Sequence, residues 1–508
     1  MLQRESARSV ILILLFSLLI RLALFLIVPI TGDAVFHYNF TKFIASNLYI
    51  PSFEIEVGAG ALPYFHPPLH HLLGVPLYWI DPKLPFLAPL VYGVIGLFFG
   101  YRLLTLLFGK EIAFYSLISA AILPPLLYYS AINYTDSLMF LTITGALYFY
   151  FKYSKEHLKR HFIYSIIFSA FSLLTHYHGI AVPLGIAFHS IFSRKNKTDA
   201  ILSLVVPLLL SSPWYVRNYL LYGNPVFPVF DLGFYPGAQY DVPTFFDSTT
   251  RLISPIFWLN MLLEFMIGAP NSGDSYSYIS QNQSVSPLLP APFVPAALVF
   301  WLLAWGYVLL IMLYGLHSLL SKEKHLATLF IFLFLLSLFF SIQTPYPRMF
   351  FSTFPFLIAG AGFGINHLLV RFKIKALISL VIAGLLIVAV PFAYAVTYKK
   401  LFEKHLEYYS LIKEKIPKDS IILSTSPERI IFYSGILSNY FGNVKGRIPA
   451  DILYSKNYPA LKEYNITHIC ETTLLHLSPV EKEFFDSIEQ EPLFIYKSNG
   501  YFGKCWKI

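Results

Sequence analysis

Charged residues are scarce in this chain of 508 residues, of which 13% are Asp, Glu, Lys or Arg and 56% are hydrophobic. A soluble globular protein has about 25% charged residues. This low density excludes a water-soluble globule, a disordered chain and a coiled coil, and it indicates a membrane protein. The net charge of +9 is spread too thinly to form a phosphate-binding face, so no nucleic acid partner is expected.

Cysteine and the common nucleotide and metal motifs are also lacking. Only Cys470 and Cys505 occur, without a CxxC pair, which excludes a zinc ribbon and a disulfide-dense scaffold. A disulfide between them and two buried thiols are equally compatible with the sequence. No Walker loop, GxGxxG, HExxH or GxSxG occurs in a suitable context, so nucleotide hydrolysis and zinc proteolysis have no support.

Long apolar runs dominate what is present. A membrane-spanning helix needs about 20 apolar residues. Eleven segments meet this requirement well enough to be predicted as spans: 9–30, 86–108, 112–132, 136–152, 162–175, 179–193, 200–216, 293–316, 326–342, 350–370 and 376–397. The first has no cleavage motif after it and is expected to be a retained anchor.

The basic residues predict the sidedness of these spans. They concentrate in alternate connections, for example at Lys152, Lys155, Lys159 and Arg160. Because such loops stay in the cytoplasm, we expect a protein of the cell (plasma) membrane with a cytoplasmic N-terminus and an extracytoplasmic tail. Two further apolar segments, 67–80 and 253–270, contain prolines, histidines or Glu264, and they are predicted to be interfacial or re-entrant.

The predicted fold class is therefore an all-α polytopic membrane protein with a small C-terminal α/β domain. Residues 1–397 would form the membrane domain, with outer loops at 31–85 and 217–292, and residues 398–508 the soluble domain. Within this tail, the runs 421–424, 466–470 and 493–496 predict strands, and the stretches 427–434 and 479–489 predict helices.

Several polar residues fall on the predicted outer face: Asp33, His66, Asp136, His176, His178, Arg217 and Arg348. A carboxylate at the membrane surface can deprotonate a hydroxyl nucleophile, and arginines can take the charge that develops on a phosphate leaving group. Together these groups suit transfer from a lipid-bound phosphate donor. Tyr38 and Tyr64, with the two histidines of the THYHG segment, are candidates for binding a sugar or prenyl chain.

Each of these residues also has a structural interpretation. Asp33 and Asp136 are suited to cap the helices that follow them. His176 and His178 form a poor metal signature, which favours interfacial packing. Arg217 beside Trp214 is typical of an interfacial anchor. Arg21, in the middle of the first span, is expected to face protein or to extend towards the membrane surface.

Certain motifs, taken together, resemble the GT-C superfamily of polyprenyl-phosphate-sugar glycosyltransferases. They are an Arg-containing first span followed by Asp33, the segments HPPL and YTDSL, the run PWYVRNYLLYGNPVFP, and PYPR. The resemblance is strongest to glycosyltransferase family 39, with its protein mannosyltransferase and aminoarabinose transferase types, and covers roughly residues 9–370. The WWDxG signature of oligosaccharyltransferases is absent.

The resemblance implies that Asp33 is the catalytic base and that Asp136 is a second acidic residue supporting the site. Ala34 stands where the family usually has Glu. Relatives often carry a charged residue at the position of His66. In this chain, His66 would bind the donor phosphate, bind a divalent cation or make a structural hydrogen bond. Arg348 and Arg217 would hold the phosphate.

The sequence thus predicts a membrane glycosyltransferase that moves one sugar from a polyprenyl-phosphate carrier to an acceptor hydroxyl on a glycan, lipid or protein, with inversion. Membrane lipids would surround it. The main alternative is a lipid or sugar transporter or flippase, which would place its sites near the bilayer midplane, usually between inverted repeats. No repeat is evident. A non-catalytic scaffold or receptor is the third alternative.

Overall fold

The computed structural model describes residues 2–30, 33–52, 66–193, 196–226, 262, 265–266, 294–341, 347–424, 427–439, 458–472, 479–498 and 501–508. Its membrane part consists of helices α1 (Leu2–Ile27), α2 (Asp33–Asn47), α3 (Leu69–Ile80), α4 (Ala88–Phe108), α5 (Lys110–Ile122), α6 (Pro124–Ala131), α7 (Asp136–Glu156), α8 (Lys159–Thr175), α9 (Ala181–Phe192), α10 (Lys197–Tyr222), α11 (Val294–Lys322), α12 (Lys324–Ser341) and α13 (Phe354–Lys415).

Each of the eleven predicted spans is helical over most of the part that the structure describes, with a break at Leu123 within 112–132, which confirms the fold class but not the number of crossings. Among the described residues, five helices are long and apolar enough to cross a membrane: Ala7–Ile27, Leu84–Phe108, Lys197–Tyr222, Val299–Lys322 and Phe350–Ala393. The pair α5 and α6, bent by 54° at Leu123, would make a sixth. The protein is thus a multi-pass membrane protein, and the total of eleven stays a prediction.

Helix α7 lies in the centre of the bundle. Nearly every side chain from Asp136 to Phe151 is buried, and α7 packs against both α4 and α8. A helix enclosed by protein can carry Ser, Thr and Tyr without exposing them to lipid, which explains why α7 is less apolar than its neighbours. By contrast, α1 exposes leucines at Leu12, Leu19 and Leu26 along one side, as expected of a lipid-facing surface.

Glycines set the contact between α11 and α13, the most extensive in the molecule. A Cβ atom added at Gly315 would lie 1.9 Å from the carbonyl oxygen of Gly360. The two backbones can approach this closely only because neither residue has a side chain, a common arrangement between membrane helices. Helix α13 is interrupted at Lys373, where φ is +49°, and this break falls between the two spans predicted in this region.

The two helices between α1 and α4 pack on each other, and their interfacial position on the outer face stays a prediction. Helix α2 buries Val35, Phe40 and Ile44, and α3 contains Pro76. The second segment predicted to be interfacial or re-entrant, 253–270, lies almost wholly outside the described residues.

The C-terminal part is an α/β unit, as predicted. Its strands are β1 (Ile421–Ser424), β2 (Leu437–Asn439), β3 (His468–Thr472), β4 (Phe494–Ser498) and β5 (Tyr501–Lys507), arranged in the order β2-β1-β3-β5-β4. Strand β1 is parallel to β2 and β3, whereas β5 is antiparallel to β3 and β4. Helices α14 (Pro427–Ser434) and α15 (Pro479–Asp486) complete it.

A disulfide joins Cys470 and Cys505, which are paired residues of β3 and β5. The alternative of two unpaired thiols is therefore wrong. The predicted domain boundary at residue 398 falls inside α13, which continues to Lys415 and packs Tyr408 and Ile412 into the core of the C-terminal unit. The part of α13 that follows the break at Lys373 therefore connects the membrane part to the sheet.

Candidate active site

The two carboxylates predicted to be functional lie in the first turns of two helices, Asp33 in α2 and Asp136 in α7. Asp136 is buried, whereas Asp33 is partly exposed. Thr135 is the N-cap residue of α7 and makes no side-chain capping bond, and Asp136 is the first residue of the helix. A negative charge in the first turn is stabilised by the helix dipole.

Asn133 connects the two helix starts. Its side-chain nitrogen donates to the carbonyl oxygen of Ala34 (3.2 Å), the residue after Asp33. Its oxygen Oδ1 lies 3.1 Å from Nε2 of His70 in α3. Because the amide nitrogen faces a carbonyl, Oδ1 must face His70 and accept a hydrogen bond from its Nε2–H. One buried amide thus ties α2 and α3 to the connection that leads into α7.

Four histidines surround this point: His37, His66, His70 and His71. Nδ1 of His37 and Nε2 of His71 share a hydrogen bond of 2.8 Å, and the ring of His66 lies 5.1 Å from that of His37. His37 follows Asp33 by one helical turn and therefore lies on the same face of α2. Of these four histidines, the sequence analysis had selected only His66, although the segment HPPLHH also contains His70 and His71.

Burial keeps two of these rings neutral. It lowers the pKa of His70 to about 4, partly opposed by the hydrogen bond that His70 donates to Asn133. Burial, followed by the proximity of His70 and His66, lowers the pKa of His71 well below its usual value. At neutral pH both rings are uncharged, so this cluster supplies hydrogen-bond donors and acceptors rather than positive charge.

No metal set supports the predicted divalent cation. Within the described residues, no group of three or more His, Cys, Asp or Glu side chains has a geometry that could hold a metal ion. The short hydrogen bond between His37 and His71 shows that their nitrogens already engage each other. Metal binding at His66 therefore stays a prediction without a ligand set.

Arg217, in the last turns of α10, is held by the segment that follows α2. Its Nη2 donates to the carbonyl oxygen of Pro51 (2.5 Å), and Nη1 donates to Oδ1 of Asn218 (2.9 Å). Its guanidinium lies 4.8 Å from the ring centre of Trp214, in cation–π range. These contacts favour the interpretation of Arg217 as an anchor that joins α10 to the segment after α2.

His176 and His178 stack on each other at the break between α8 and the short helix Tyr177–Ile180. Their ring centres are 4.4 Å apart, and the backbone N–H of His178 donates to Nδ1 of His176. Next to them, Asn218 donates to the hydroxyl of Tyr177 (3.2 Å). The pair thus stabilises a turn next to the end of α10, which favours the structural interpretation over sugar binding.

Three further residues were predicted to belong to the site: Tyr38, Arg348 and Tyr64. Tyr38 stacks on Phe86 (4.5 Å between ring centres), and burial, then Tyr78 and Asp81, raises its pKa. Arg348 belongs to the short helix Pro347–Thr353, which packs against α7, but its side chain lies outside the described residues. Tyr64 lies outside them altogether.

Arg21, which the sequence could not orient, faces protein and is fully buried. Its Nη1 donates to the carbonyl oxygen of Ala121 (3.1 Å) and to both oxygens of Ser17, and its Nη2 donates to that of Leu126 (3.2 Å). The carbonyl of Ala121 has no helical donor because the residue four positions later is Pro125, which lacks an N–H. Arg21 thus caps the break between α5 and α6.

Comparison with known proteins gives this arrangement its context. The family model described as dolichyl-phosphate-mannose-protein mannosyltransferase matches residues 85–216. No curated protein sequence matches the chain significantly. The structures of ArnT from Cupriavidus metallidurans are similar in the apo state (TM-score 0.63, 12% identity, 99% of this chain and 98% of that one) and with undecaprenyl phosphate bound (0.61, 12%, 98% and 97%).

The archaeal oligosaccharyltransferase AglB from Archaeoglobus fulgidus, in complex with an inhibitory peptide and a dolichol-phosphate, is also similar. Its TM-score is 0.53 at 12% identity, over 91% of this chain and 69% of that one. At such identities the likeness establishes the fold. Helices and C-terminal sheet together therefore give this chain the fold that is also found in ArnT and AglB, in agreement with the fold that its motifs indicated.

Proposed function

We propose that the protein is a glycosyltransferase that moves a single sugar from a polyprenyl-phosphate carrier to an acceptor hydroxyl. The observation that carries this proposal is the joining of the Asp33 and Asp136 helix starts through Asn133, within a fold shared end to end with ArnT. ArnT binds undecaprenyl phosphate and AglB binds a dolichol-phosphate, which supports a polyprenyl phosphate as the carrier here.

Asp33 would act as the general base. The acceptor oxygen attacks the anomeric carbon while the bond from that carbon to the phosphate oxygen breaks, and the hydroxyl proton passes to the Asp33 carboxylate. One in-line displacement inverts the anomeric carbon and releases the polyprenyl phosphate. Asp33 suits this role because it is partly exposed, so that an acceptor can approach it. Buried Asp136 would order the site.

The leaving phosphate would lie nearest Arg348 and His66. The short helix that carries Arg348 packs against α7, whose first turn holds Asp136. His66 contacts the rings of Phe36 and His37 in the first turns of α2. Arg217 would reach the phosphate only by giving up its bond to Pro51, and we place it second to Arg348.

The reaction would occur on the outer face of the plasma membrane. Basic residues in alternate loops predict a cytoplasmic N-terminus and place α2, α3 and the C-terminal unit outside. The disulfide between Cys470 and Cys505 supports an oxidising compartment for this unit. Energy would come from the phosphate ester of the donor. The acceptor would be a glycan, lipid or protein hydroxyl.

The test is transfer of label from synthetic polyprenyl-phosphate sugars to material in membranes that contain the protein, with the product identified by mass spectrometry. Asp33→Asn keeps the shape of the side chain and removes its basicity, and it should lower turnover by about 10²- to 10⁴-fold. Asp81→Asn is the matched control, because Asp81 ends α3 in the same loop and binds the backbone N–H of Lys83.

The control should keep turnover within about twofold, and both variants should melt at the wild-type temperature. Near-normal transfer by Asp33→Asn would remove the proposed base. Accumulation of substrate in vesicles without any sugar product would instead identify a transporter.

A further inference from the structure

Helix α14 of the C-terminal unit contacts the α2 region at two points. The hydroxyl of Tyr433 donates to the carbonyl oxygen of Ile30, in the connection between α1 and α2. The ring of Phe432 lies edge-on to that of Tyr38 in α2, with 5.5 Å between ring centres, and also contacts Phe86 (6.1 Å). Asp33 lies between these two contact points in the sequence.

The other side of α14 is fixed within the C-terminal unit. The ring of Tyr433 stacks on Tyr409 of α13, with 5.4 Å between ring centres and 12° between planes. It also contacts Phe402, which lies earlier in the same helix. Tyr409 is 1% exposed. Ile430 enters the core that also contains the disulfide. Because α14 is packed into the C-terminal unit, its contacts with Ile30 and Tyr38 attach the start of α2 to that unit.

We propose that Tyr433 and Phe432 are positioning residues for the Asp33 carboxylate, so that the C-terminal unit is a working part of the site. This inference rests on the proposed function, in which Asp33 is the base. A base must be held within a fraction of an ångström of its productive position, and a misplacement of about 1 Å can cost 10²-fold in rate. Holding the chain on both sides of Asp33 restricts such movement.

The proposal predicts a change in turnover rather than in donor affinity. The bond from Tyr433 to Ile30 lies at the start of α2, whereas Arg348 and His66, proposed to hold the phosphate, belong to other segments of the chain. Tyr433→Phe keeps the ring that stacks on Tyr409 and removes the hydroxyl, and with it the bond to Ile30. We expect kcat to fall roughly 10-fold, with KM for the polyprenyl-phosphate sugar within about twofold of the wild type.

Tyr408→Phe is the matched control. Tyr408 is a buried tyrosine of α13. Its hydroxyl donates to the carbonyl oxygens of Glu471 (2.8 Å) and Lys504 (3.2 Å), both within the C-terminal unit. Its loss weakens the domain without touching α2, so kcat should stay within about twofold. Phe432→Leu, which keeps an apolar side chain but loses the edge-on ring contact, should reduce kcat in the same direction as Tyr433→Phe.

Hydrogen exchange provides a second readout that does not need activity. Amides of residues 33–38 should exchange about 10-fold faster in full-length Tyr433→Phe than in the wild type, and at the wild-type rate in Tyr408→Phe. Unchanged exchange in Tyr433→Phe, or equal losses of kcat in both variants, would overturn the positioning role. If the wild-type protein transfers no sugar, the proposed function fails, and the exchange measurement still decides whether α14 holds the start of α2.

Discussion

Two buried polar centres in this bundle can be compared, one around Arg21 and one around Asn133. At Arg21 every described partner is a backbone carbonyl or Ser17, and the side chain closes a helix break caused by prolines. At Asn133 the partners are a histidine and the chain next to a candidate catalytic carboxylate. Burial of a polar group in a membrane protein therefore does not by itself indicate a function. The identity of the hydrogen-bond partners distinguishes the centre around Asn133 from the one around Arg21.

The largest expected effect is on stability, at the first centre. Arg21→Leu would leave the carbonyls of Ala121 and Leu126 without the donors that Arg21 supplies. The free energy of unfolding should fall by about 3 kcal/mol. Arg102→Leu is the control, because Arg102 donates to one hydroxyl, that of Tyr148 (3.3 Å), and is exposed. It should lose no more than about 1 kcal/mol. Reversible unfolding in detergent micelles measures both.

Turnover per folded molecule should stay within a few fold in Arg21→Leu, since the hydrogen bonds of Arg21 among the described residues go to Ser17, Ala121 and Leu126 and not to α2, α3 or α7. A variant with wild-type stability and no transfer would make Arg21 a functional residue, and the distinction between the two centres would fail.

Local sequence features predicted much of the architecture. Apolar runs located the membrane helices, and the IILS run matched β1. Asp33 and Asp136 were found because each follows the end of a predicted span and begins a helix. Arg21 was found but not oriented, because its main partner is Ala121, 100 positions away. The adjacent prolines 124 and 125 were the local sign that a carbonyl there would need a donor.

The histidine cluster was largely missed for the same reason. His37 bonds to His71 across 34 positions, His70 to Asn133 across 63, and Asn133 to Ala34 across 99. Hydrophobic periodicity reports which face of a helix is buried but not which other helix covers it. Such pairings require the tertiary structure, and so did the contact of Tyr433 with Ile30.

The second centre should respond to substitution mainly through turnover. Asn133→Leu removes the bonds to Ala34 and His70, which should loosen α2 relative to α7 and lower kcat about 30-fold, equivalent to about 2 kcal/mol. Asn47→Ala is the control, since Asn47 donates only to the carbonyl of Phe43 at the exposed end of α2 (2.9 Å). Initial rates of sugar transfer at saturating donor compare the two.

A kcat for Asn133→Leu within about twofold of the wild type would show that the link between the helix starts is structural only. The two centres would then be alike, and the assignment of the site would rest on the carboxylates alone.

The smallest expected effect is a pH dependence confined to the second centre. The pKa of His70 is lowered to about 4 in the folded protein, against about 6.5 when unfolded. Between these values the unfolded chain binds more protons, so the folded state loses stability as the pH falls below about 6.5. His70 alone should contribute a loss of about 1 kcal/mol between pH 7.5 and pH 5.5.

His70→Gln tests this, because the amide nitrogen of Gln can replace Nε2 as the donor to Asn133 and does not titrate. The variant should lose less stability than the wild type over the same pH interval, and His71, whose pKa burial also lowers, should contribute to the dependence that remains. Equal slopes for the two proteins would mean that His70 accepts a proton readily when folded. That result would contradict the picture of a dry, neutral polar cluster beside Asp33 and would favour a hydrated one.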